Sequence, residues 1–276
     1  MIPRSLLARN LPEIRSMKLK SLDNIYTVSE KRVPVSQEQL DKARVTLDTE
    51  FPPGFDEFML KFGKGEYAGY LRPYDPDRIV SELSSNRENF VTDYWTEGKL
   101  RLNDAERASL IPFADTIDGD MFAFLPKKPK QIFVLPRQNQ QLFKTGPTFI
   151  HLLNWVTDSG EIVERIDLKS FQPWNEHSSL RMISPEHAYE VDEMEALFKT
   201  IGSADYRAKK PGSIDFFILK YGAHLSYLLM DDYQQFIVGF DSDSAAEFLP
   251  RLTLALAGKG FQITEHNRVD PLPSLS

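Results

Sequence analysis

The stretch FPPGFDEFMLKFGKGEY, residues 51–67, decides how the chain around it folds. Pro52 and Pro53 suit the first turn of a helix, where a missing N–H leaves no hydrogen bond unmade. The apolar residues that follow recur at helical spacing and share one helix face; they are Phe55, Phe58, Met59 and Phe62. Gly63 and Gly65 end this predicted helix, because glycine adopts left-handed backbone conformations at little cost.

Two further helices are predicted on either side of this stretch. Ser36 and Gln39 match the S-x-x-Q capping box, in which each side chain bonds the backbone N–H of the other residue. The apolar residues of the helix that follows are Leu40, Ala43, Leu47 and Phe51. Downstream, Asp75-Pro76 combines a capping residue with a first-turn proline and predicts another helix start.

Short strands are predicted in the segment LIPFADTIDGDMFAF, residues 110–124, and beyond it. Asp118-Gly119 is typical of the tight turn of a β-hairpin, because both positions of such a turn need positive φ. The expected strands are Leu110–Ala114, Met121–Leu125 and Gln131–Leu135. The sequence TFIHLLNWV, residues 148–156, predicts a helix that closes this region.

The composition changes after Gly160, which indicates a second unit with the element order α-β-β-β-α-β. We expect an α+β fold: a mixed or antiparallel sheet packed by helices, followed by a second small α+β domain. The expected divisions are an N-terminal arm at 1–35, an α+β domain at 36–160, a connector at 161–183, a second α+β domain at 184–270 and a disordered tail at 271–276.

Composition and charge limit the classes of function. The chain of 276 residues has a net charge of -7 and a pI near 5.4, which disfavours binding to nucleic acid or to anionic membranes. It contains no cysteine, so disulfides and thiolate metal sites are excluded. The N-terminal apolar run is too short for a secretory signal, and no later segment is long enough to predict a membrane helix. We therefore expect a cytoplasmic protein.

No catalytic or cofactor motif stands out. The Gly-Lys-Gly triplets at 63–65 and 258–260 follow predicted helices, whereas a phosphate loop precedes one, so we interpret both as helix ends. Asp115, Asp118 and Asp120 form a partial cation-loop pattern, for which a hairpin turn with exposed acids is the alternative. The five histidines lack metal-ligand spacing. We expect no enzyme activity, no cofactor and no metal; a polar pocket in the second unit with a histidine or carboxylate of shifted pKa would contradict this.

One predicted helix carries a cluster of acidic residues. These residues are Glu186, Glu190, Asp192, Glu193 and Glu195, with Lys199 nearby. A solvated helix face is one interpretation, since acids near a helix N-terminus are favourable. An acidic patch that attracts a basic partner is the other.

The region from Ser36 to Trp155 resembles the SUKH superfamily, which includes bacterial immunity proteins and a fungal regulator of cell-wall synthesis. Three segments carry the resemblance: FPPGFDEFMLKFGKG, LIPFADTIDGDMFAF and TFIHLLNWV. They are similar to the family's helix pair with its glycine-rich stop, to its P-F-A strand with a D-G-D hairpin, and to its terminal helix. The glycine stop departs from the family's common N-G-G, and Ile150 and Leu153 stand where aromatic residues are frequent.

The resemblance implies function by binding a protein partner. We expect a non-catalytic immunity protein that neutralises a cognate bacterial polymorphic toxin, a basic nuclease being one candidate class. The alternative is a scaffold or regulatory interaction module related to the fungal regulators. The partner-binding residues we expect are Tyr70, Asp75, Asp77, Trp95, Asp115, Asp118 and Asp120.

Overall fold

The structure is a computed structural model that describes residues 18–91, 94–174, 177–184, 187–231 and 233–266. The expected tail at 271–276 and the first part of the expected arm, residues 1–17, lie outside these ranges. The helices are α1 (Gln37–Leu47), α2 (Phe55–Lys61), α3 (Pro76–Phe90), α4 (Asp104–Ser109), α5 (Phe149–Asp158), α6 (Val191–Ile201) and α7 (Ala245–Leu256). None of the helices in the described ranges combines the length and the hydropathy needed to cross a bilayer.

An eight-stranded sheet organises the N-terminal unit. Its strands in chain order are β1 (Tyr26–Thr27), β2 (Gly65–Tyr67), β3 (Leu71–Pro73), β4 (Ile111–Thr116), β5 (Met121–Leu125), β6 (Lys128–Leu135), β7 (Phe143–Lys144) and β8 (Ser170–Pro173). The spatial order is β1-β8-β2-β3-β4-β5-β6-β7. Only the pair of β1 and β8 is parallel among the strand pairs of the described residues, so the sheet is mixed.

A six-stranded antiparallel sheet organises the C-terminal unit. Its strands are β9 (His177–Ile183), β10 (Tyr206–Lys210), β11 (Ser213–Ile218), β12 (Ala223–Met230), β13 (Tyr233–Asp241) and β14 (Gln262–His266). The spatial order is β10-β11-β12-β13-β9-β14. The α+β class expected from the sequence is confirmed, since both units combine a sheet with helices.

The local signals in the sequence explain where the first helices begin. At α1 the Ser36 side chain accepts the N–H of Gln39 and the Gln39 side chain accepts the N–H of Ser36, so the predicted capping box is confirmed. Helix α2 begins at Phe55, two residues later than the prolines suggested. Gly54 precedes it with a φ of +87°, a left-handed conformation that no helical residue has.

Aromatic rings fill the core of the N-terminal unit. Phe58 of α2 is fully buried, and its ring centroid lies 4.9 Å from those of Phe62 and Phe149 and 5.6 Å from that of Phe171. Phe149 belongs to α5 and Phe171 to β8, so one ring joins two helices to the sheet. A separate small core around Phe90 and Trp95 lies between α3, α4 and strands β5 and β6.

The segment expected to be a connector, 161–183, contributes β8 to the larger sheet and β9 to the smaller one. Gln172 of β8 pairs with Glu66 of β2, more than one hundred residues earlier in the chain. A pairing of such long range leaves no local signal in the sequence. We propose that the boundary between the two units lies between β8 and β9.

The two units also touch through side chains. The Tyr26 ring of β1 lies 5.5 Å from the Tyr206 ring and 5.6 Å from the Phe217 ring, measured between centroids. The Ser29 hydroxyl donates to Oδ2 of Asp241 at 2.7 Å, and both residues are buried. A buried polar pair of this kind favours one arrangement of the units, because a shift between them would break a hydrogen bond to a charged group.

Candidate partner-binding site

The hairpin between β4 and β5 brings together three residues that the sequence analysis selected. The Tyr70 hydroxyl lies 3.0 Å from Oδ2 of Asp118 and 3.2 Å from Oδ2 of Asp120. Asp120 also accepts the Thr116 hydroxyl at 2.9 Å and the backbone N–H of Arg137 at 2.9 Å. Burial raises the pKa of Tyr70, which keeps its hydroxyl a neutral donor. Tyr70 and Asp120 therefore brace the turn from inside, whereas Asp118 is exposed.

Asp115 is engaged by two arginines. Its carboxylate accepts Nε of Arg72 at 2.7 Å and Nη2 of Arg78 at 3.1 Å. Arg78 also pairs with Glu82 at 2.7 Å and stacks over the Tyr74 ring at 3.6 Å from the centroid. The negative charge of Asp115 is thus compensated within the unit, and little of it remains to attract a partner.

Asp75 and Asp77 lie at the start of α3. Asp75 caps the helix by accepting the N–H of Arg78 at 3.0 Å, and it pairs with Nζ of Lys64 at 3.0 Å. Asp77 is exposed and accepts Nε2 of Gln39 at 3.3 Å. Asp75 therefore has a structural task, and Asp77 presents its carboxylate to solvent.

Trp95 is buried in the small core between α3 and α4. Its indole Nε1–H donates to the Pro136 carbonyl at 3.0 Å, and its ring lies 6.3 Å from the Phe90 ring. These contacts anchor the segment after α3 to the sheet. In this conformation the indole offers a partner almost no surface.

The seven selected residues do not form one surface. Asp77 and Asp118 are exposed, Asp75 is half-buried, and the buried residues are Tyr70, Trp95, Asp115 and Asp120. A direct contact with a partner remains a prediction for all seven, and exposure favours Asp77 and Asp118.

A different group of residues shares the face of the eight-stranded sheet that lies opposite the aromatic core. Successive side chains of a strand point to opposite faces. Buried Tyr67 points to the aromatic core, so its neighbour Glu66 points away from it, beside Arg72. The Trp174 N–H donates to the Lys64 carbonyl at 3.0 Å, which extends the pairing of β8 with β2. We name this group the polar sheet face; it consists of Lys64, Glu66, Arg72, Asp115, Gln172 and Trp174.

Glu66 differs from the other charged residues of the polar sheet face. Within the described ranges its carboxylate has no ion-pair or hydrogen-bond partner, whereas Lys64, Arg72 and Asp115 each have one. Glu66 is half-buried, and desolvation raises the pKa of its carboxyl, an effect that the nearby Arg72 partly opposes. Beside it Trp174 is 43% exposed. The sequence analysis selected neither residue.

A signal for Glu66 exists in the sequence, but none exists for Trp174. The order Gly65-Glu66-Tyr67 places one acidic residue between two residues that the strand buries, so alternation alone would have put it on the opposite face. The position of Trp174 depends on the pairing of β8 with β2, which only the folded chain reveals.

The acidic residues of α6 are largely compensated by cations. Glu195 is buried and pairs with Lys199 at 2.7 Å, with Lys209 at 3.0 Å and with Arg207. Hydrogen bonds from Lys199 and Lys209, together with the Arg207 charge, lower the pKa of Glu195 to about 2. Glu186 lies outside the described residues. The cations of β10 thus neutralise much of the charge that suggested an acidic patch.

We expect Glu195→Gln to destabilise the C-terminal unit by about 2 kcal/mol at pH 7, because it removes a buried carboxylate that three exposed cations stabilise. A lowered pKa adds stability above the unfolded value near 4.5, and this contribution is lost as the pH falls toward about 2. The difference between variant and wild type should therefore shrink at pH 3. Urea unfolding at pH 7 and at pH 3 measures this difference in the free energy of unfolding. Glu161→Gln, at an exposed position, is the control. A difference that grows in acid would contradict the assignment.

A histidine and a carboxylate meet on the smaller sheet. Nε2 of His224 lies 2.9 Å from Oδ1 of Asp215, and the His224 ring stacks on Phe217 at 4.1 Å. Burial alone would raise the pKa of Asp215, but hydrogen bonds from His224 and Ser226 lower it. The serine bonds the carboxylate, whereas in a nucleophile–base–carboxylate triad it would bond the imidazole. Within the described ranges no group of three or more histidine and acidic side chains could hold a metal ion.

Comparison with known proteins identifies the N-terminal unit. Residues 34–155 match the SMI1 / KNR4 family (SUKH-1), which confirms the resemblance seen in the sequence. No curated protein and no solved structure matches the chain. The proteins of this family serve in general as immunity proteins or regulators, and they are in general not catalysts. Residues 34–155, a little under half of the chain, are therefore similar to the SMI1/KNR4 (SUKH-1) family.

Proposed function

We propose that this protein is an immunity protein that binds and neutralises a cognate bacterial polymorphic toxin without catalysing a reaction. The SUKH-1 domain at residues 34–155 is the observation that carries the proposal. Neutralisation by binding requires a preorganised surface and no reacting groups. The N-terminal unit offers such a surface, because its aromatic core and its braced hairpin hold the surrounding charged residues in place.

Charge supports a basic partner, such as a nuclease. The net charge of -7 favours encounter with a positively charged protein, and like-charge repulsion disfavours nucleic acid and anionic membranes. Asp77 and Asp118 are the exposed carboxylates among the partner-binding residues predicted from the sequence, and the polar sheet face lies in the same unit. We place the encounter in the cytoplasm of the producing cell, where the toxin would otherwise act.

Co-expression with the toxin encoded beside this protein tests the proposal. We expect restored growth, a stoichiometric complex, and an association rate that falls by about tenfold or more as salt screens the charges. A toxin from an unrelated locus is the control and should remain lethal. If the adjacent toxin kills cells regardless of this protein, neutralisation is not its function.

The second candidate function is a scaffold or regulator. The match to the SMI1/KNR4 family favours it, since that family also includes regulatory proteins. A scaffold should bind several partners weakly, whereas an immunity protein should bind one partner tightly. Purification of a single stoichiometric complex under native expression would argue against the scaffold.

A further inference from the structure

We propose that the polar sheet face holds an arginine side chain of the protein partner, with the guanidinium group against Trp174 and paired with Glu66. The identity of the partner rests on the proposed function. The geometry of the site rests on β2 and β8 alone. Three features carry the inference: the register of these strands, the lack of a direct ion pair at Glu66 within the described ranges, and the exposure of Trp174.

The register places the two side chains next to each other. Glu66 lies opposite Gln172, and the Trp174 N–H bonds the Lys64 carbonyl. Glu66 and Trp174 are therefore diagonal neighbours on one face of an antiparallel pair, a spacing that aromatic and long side chains can bridge. A planar cation between them can contact the indole face and the carboxylate together.

The charges around this position leave one negative charge over. Lys64 is paired with Asp75, and the two cations Arg72 and Arg78 are matched by the two carboxylates of Asp115 and Glu82. Glu66 is half-buried near Arg72, but its carboxylate makes no direct ion pair within the described ranges. A partly desolvated charge without a partner costs stability, and an incoming cation would offset that cost.

The residue opposite Glu66 does not satisfy it. Nε2 of Gln172 is buried and has no hydrogen-bond acceptor among the described residues. The Gln172 amide therefore donates no bond to the Glu66 carboxylate. The buried Gln172 amide nitrogen thus stays unsatisfied beside an exposed tryptophan, and buried unsatisfied groups are rare in folded proteins.

Arginine fits this arrangement better than lysine. Its guanidinium is planar, stacks on an aromatic face and offers two parallel N–H groups to one carboxylate. Tryptophan is the strongest of the aromatic side chains in cation–π contacts. Lysine can form the ion pair but cannot stack in the same way. The surface therefore selects a basic protein segment that presents arginine.

A short peptide tests the site without the toxin. The probe is the peptide acetyl-Gly-Ser-Arg-Ser-Gly-amide. It is compared with two peptides in which lysine or leucine replaces the arginine. The indole N–H signal of Trp174 reports binding in NMR titrations, with Trp95 and Trp155 as internal references. We expect a saturable shift of Trp174 with the arginine peptide, at least about threefold weaker binding of the lysine peptide, and no shift with leucine. No shift with arginine, or equal shifts of all three indoles, would overturn the proposal.

Variants separate binding from a structural role. We expect Glu66→Gln to weaken peptide binding by about tenfold while the protein stays as stable as wild type or becomes more stable, because a half-buried charge without an ion pair is removed. Trp174→Leu should weaken binding similarly. Glu57→Gln, an exposed carboxylate on α2, is the control and should bind like wild type. Unchanged binding together with lost stability would show that Glu66 is structural.

The outcomes also distinguish this inference from the proposed function. If the toxin is neutralised and Glu66→Gln neutralises it equally well, the protein is an immunity protein and the arginine site is refuted. If the peptide binds but no toxin is neutralised, the site stands and the function is different. A second copy of this chain could occupy the site instead of a partner. Analytical ultracentrifugation of the free protein tests this: a dimer that dissociates in the Glu66→Gln variant would also refute the proposal.

Discussion

Phe58→Ala should lower the free energy of unfolding of the N-terminal unit by about 4 kcal/mol, the typical cost of removing a fully buried phenylalanine. The ring of Phe58 touches the rings of Phe62, Phe149 and Phe171, which come from three different segments. Its removal leaves a cavity where α2, α5 and β8 meet. Neighbouring rings cannot close such a cavity completely, because each is held by other contacts.

Tryptophan fluorescence during urea unfolding measures this effect. All three tryptophans of the chain, Trp95, Trp155 and Trp174, lie in or next to the elements of the N-terminal unit, so the signal reports that unit. Val45→Ala is the control: Val45 is 82% exposed on α1, and its removal should change stability by less than about 0.5 kcal/mol. A loss below about 1.5 kcal/mol for Phe58→Ala would show that the ring is not central to the core.

Gly63→Ala should destabilise the same unit by about 3 kcal/mol or more, through backbone strain and a clash together. Gly63 has a φ of +71°, and a Cβ atom there would lie 1.8 Å from the Val33 carbonyl oxygen. That oxygen accepts the N–H of Lys64 at 3.0 Å, so it cannot move aside without losing a hydrogen bond. The glycine permits the segment at Val33 to pack against the end of α2.

Gly69→Ala separates strain from the clash. Gly69 has a similar φ of +64°, but the nearest heavy atom to an added Cβ is Oε1 of Glu66 at 3.9 Å. We expect this variant to lose only about 1 kcal/mol, the cost of the conformation alone. The same urea experiment compares the two. If both glycine variants lose equal stability, the close approach of Val33 contributes nothing.

Short-range features of the fold were accessible from the sequence. The capping box at Ser36 forms as predicted, and a hairpin turns at Asp118-Gly119, although only Gly119 of the two has the positive φ expected of both; each feature depends on residues within a few positions of one another. The element order of the C-terminal unit was incomplete. Strands β9 and β10 were not predicted, since β9 followed a charged segment that indicated a connector and β10 has charged residues at three of its five positions.

The candidate site was harder to predict from the sequence than the fold. The sequence supplied residue types that suit a binding surface but no information on their burial. Trp95 was selected for its type and proves to be buried, while Trp174 is exposed beside Glu66. Asp115 was selected for its charge, which two arginines compensate. In each case a distant segment decides the environment of the side chain, and a pattern of a few residues does not report it.

The amino-acid sequence by itself determined the α+β class, the helix and turn signals, and the resemblance of residues 36–155 to one family, because these follow from local propensity and short motifs. The tertiary structure alone decided that β8 lies beside β2 and that, within the described part of the chain, Glu66 has no direct ion pair. The reason is physical: whether a carboxylate is paired depends on which strands and helices lie next to it, and contacts between distant segments set those neighbours.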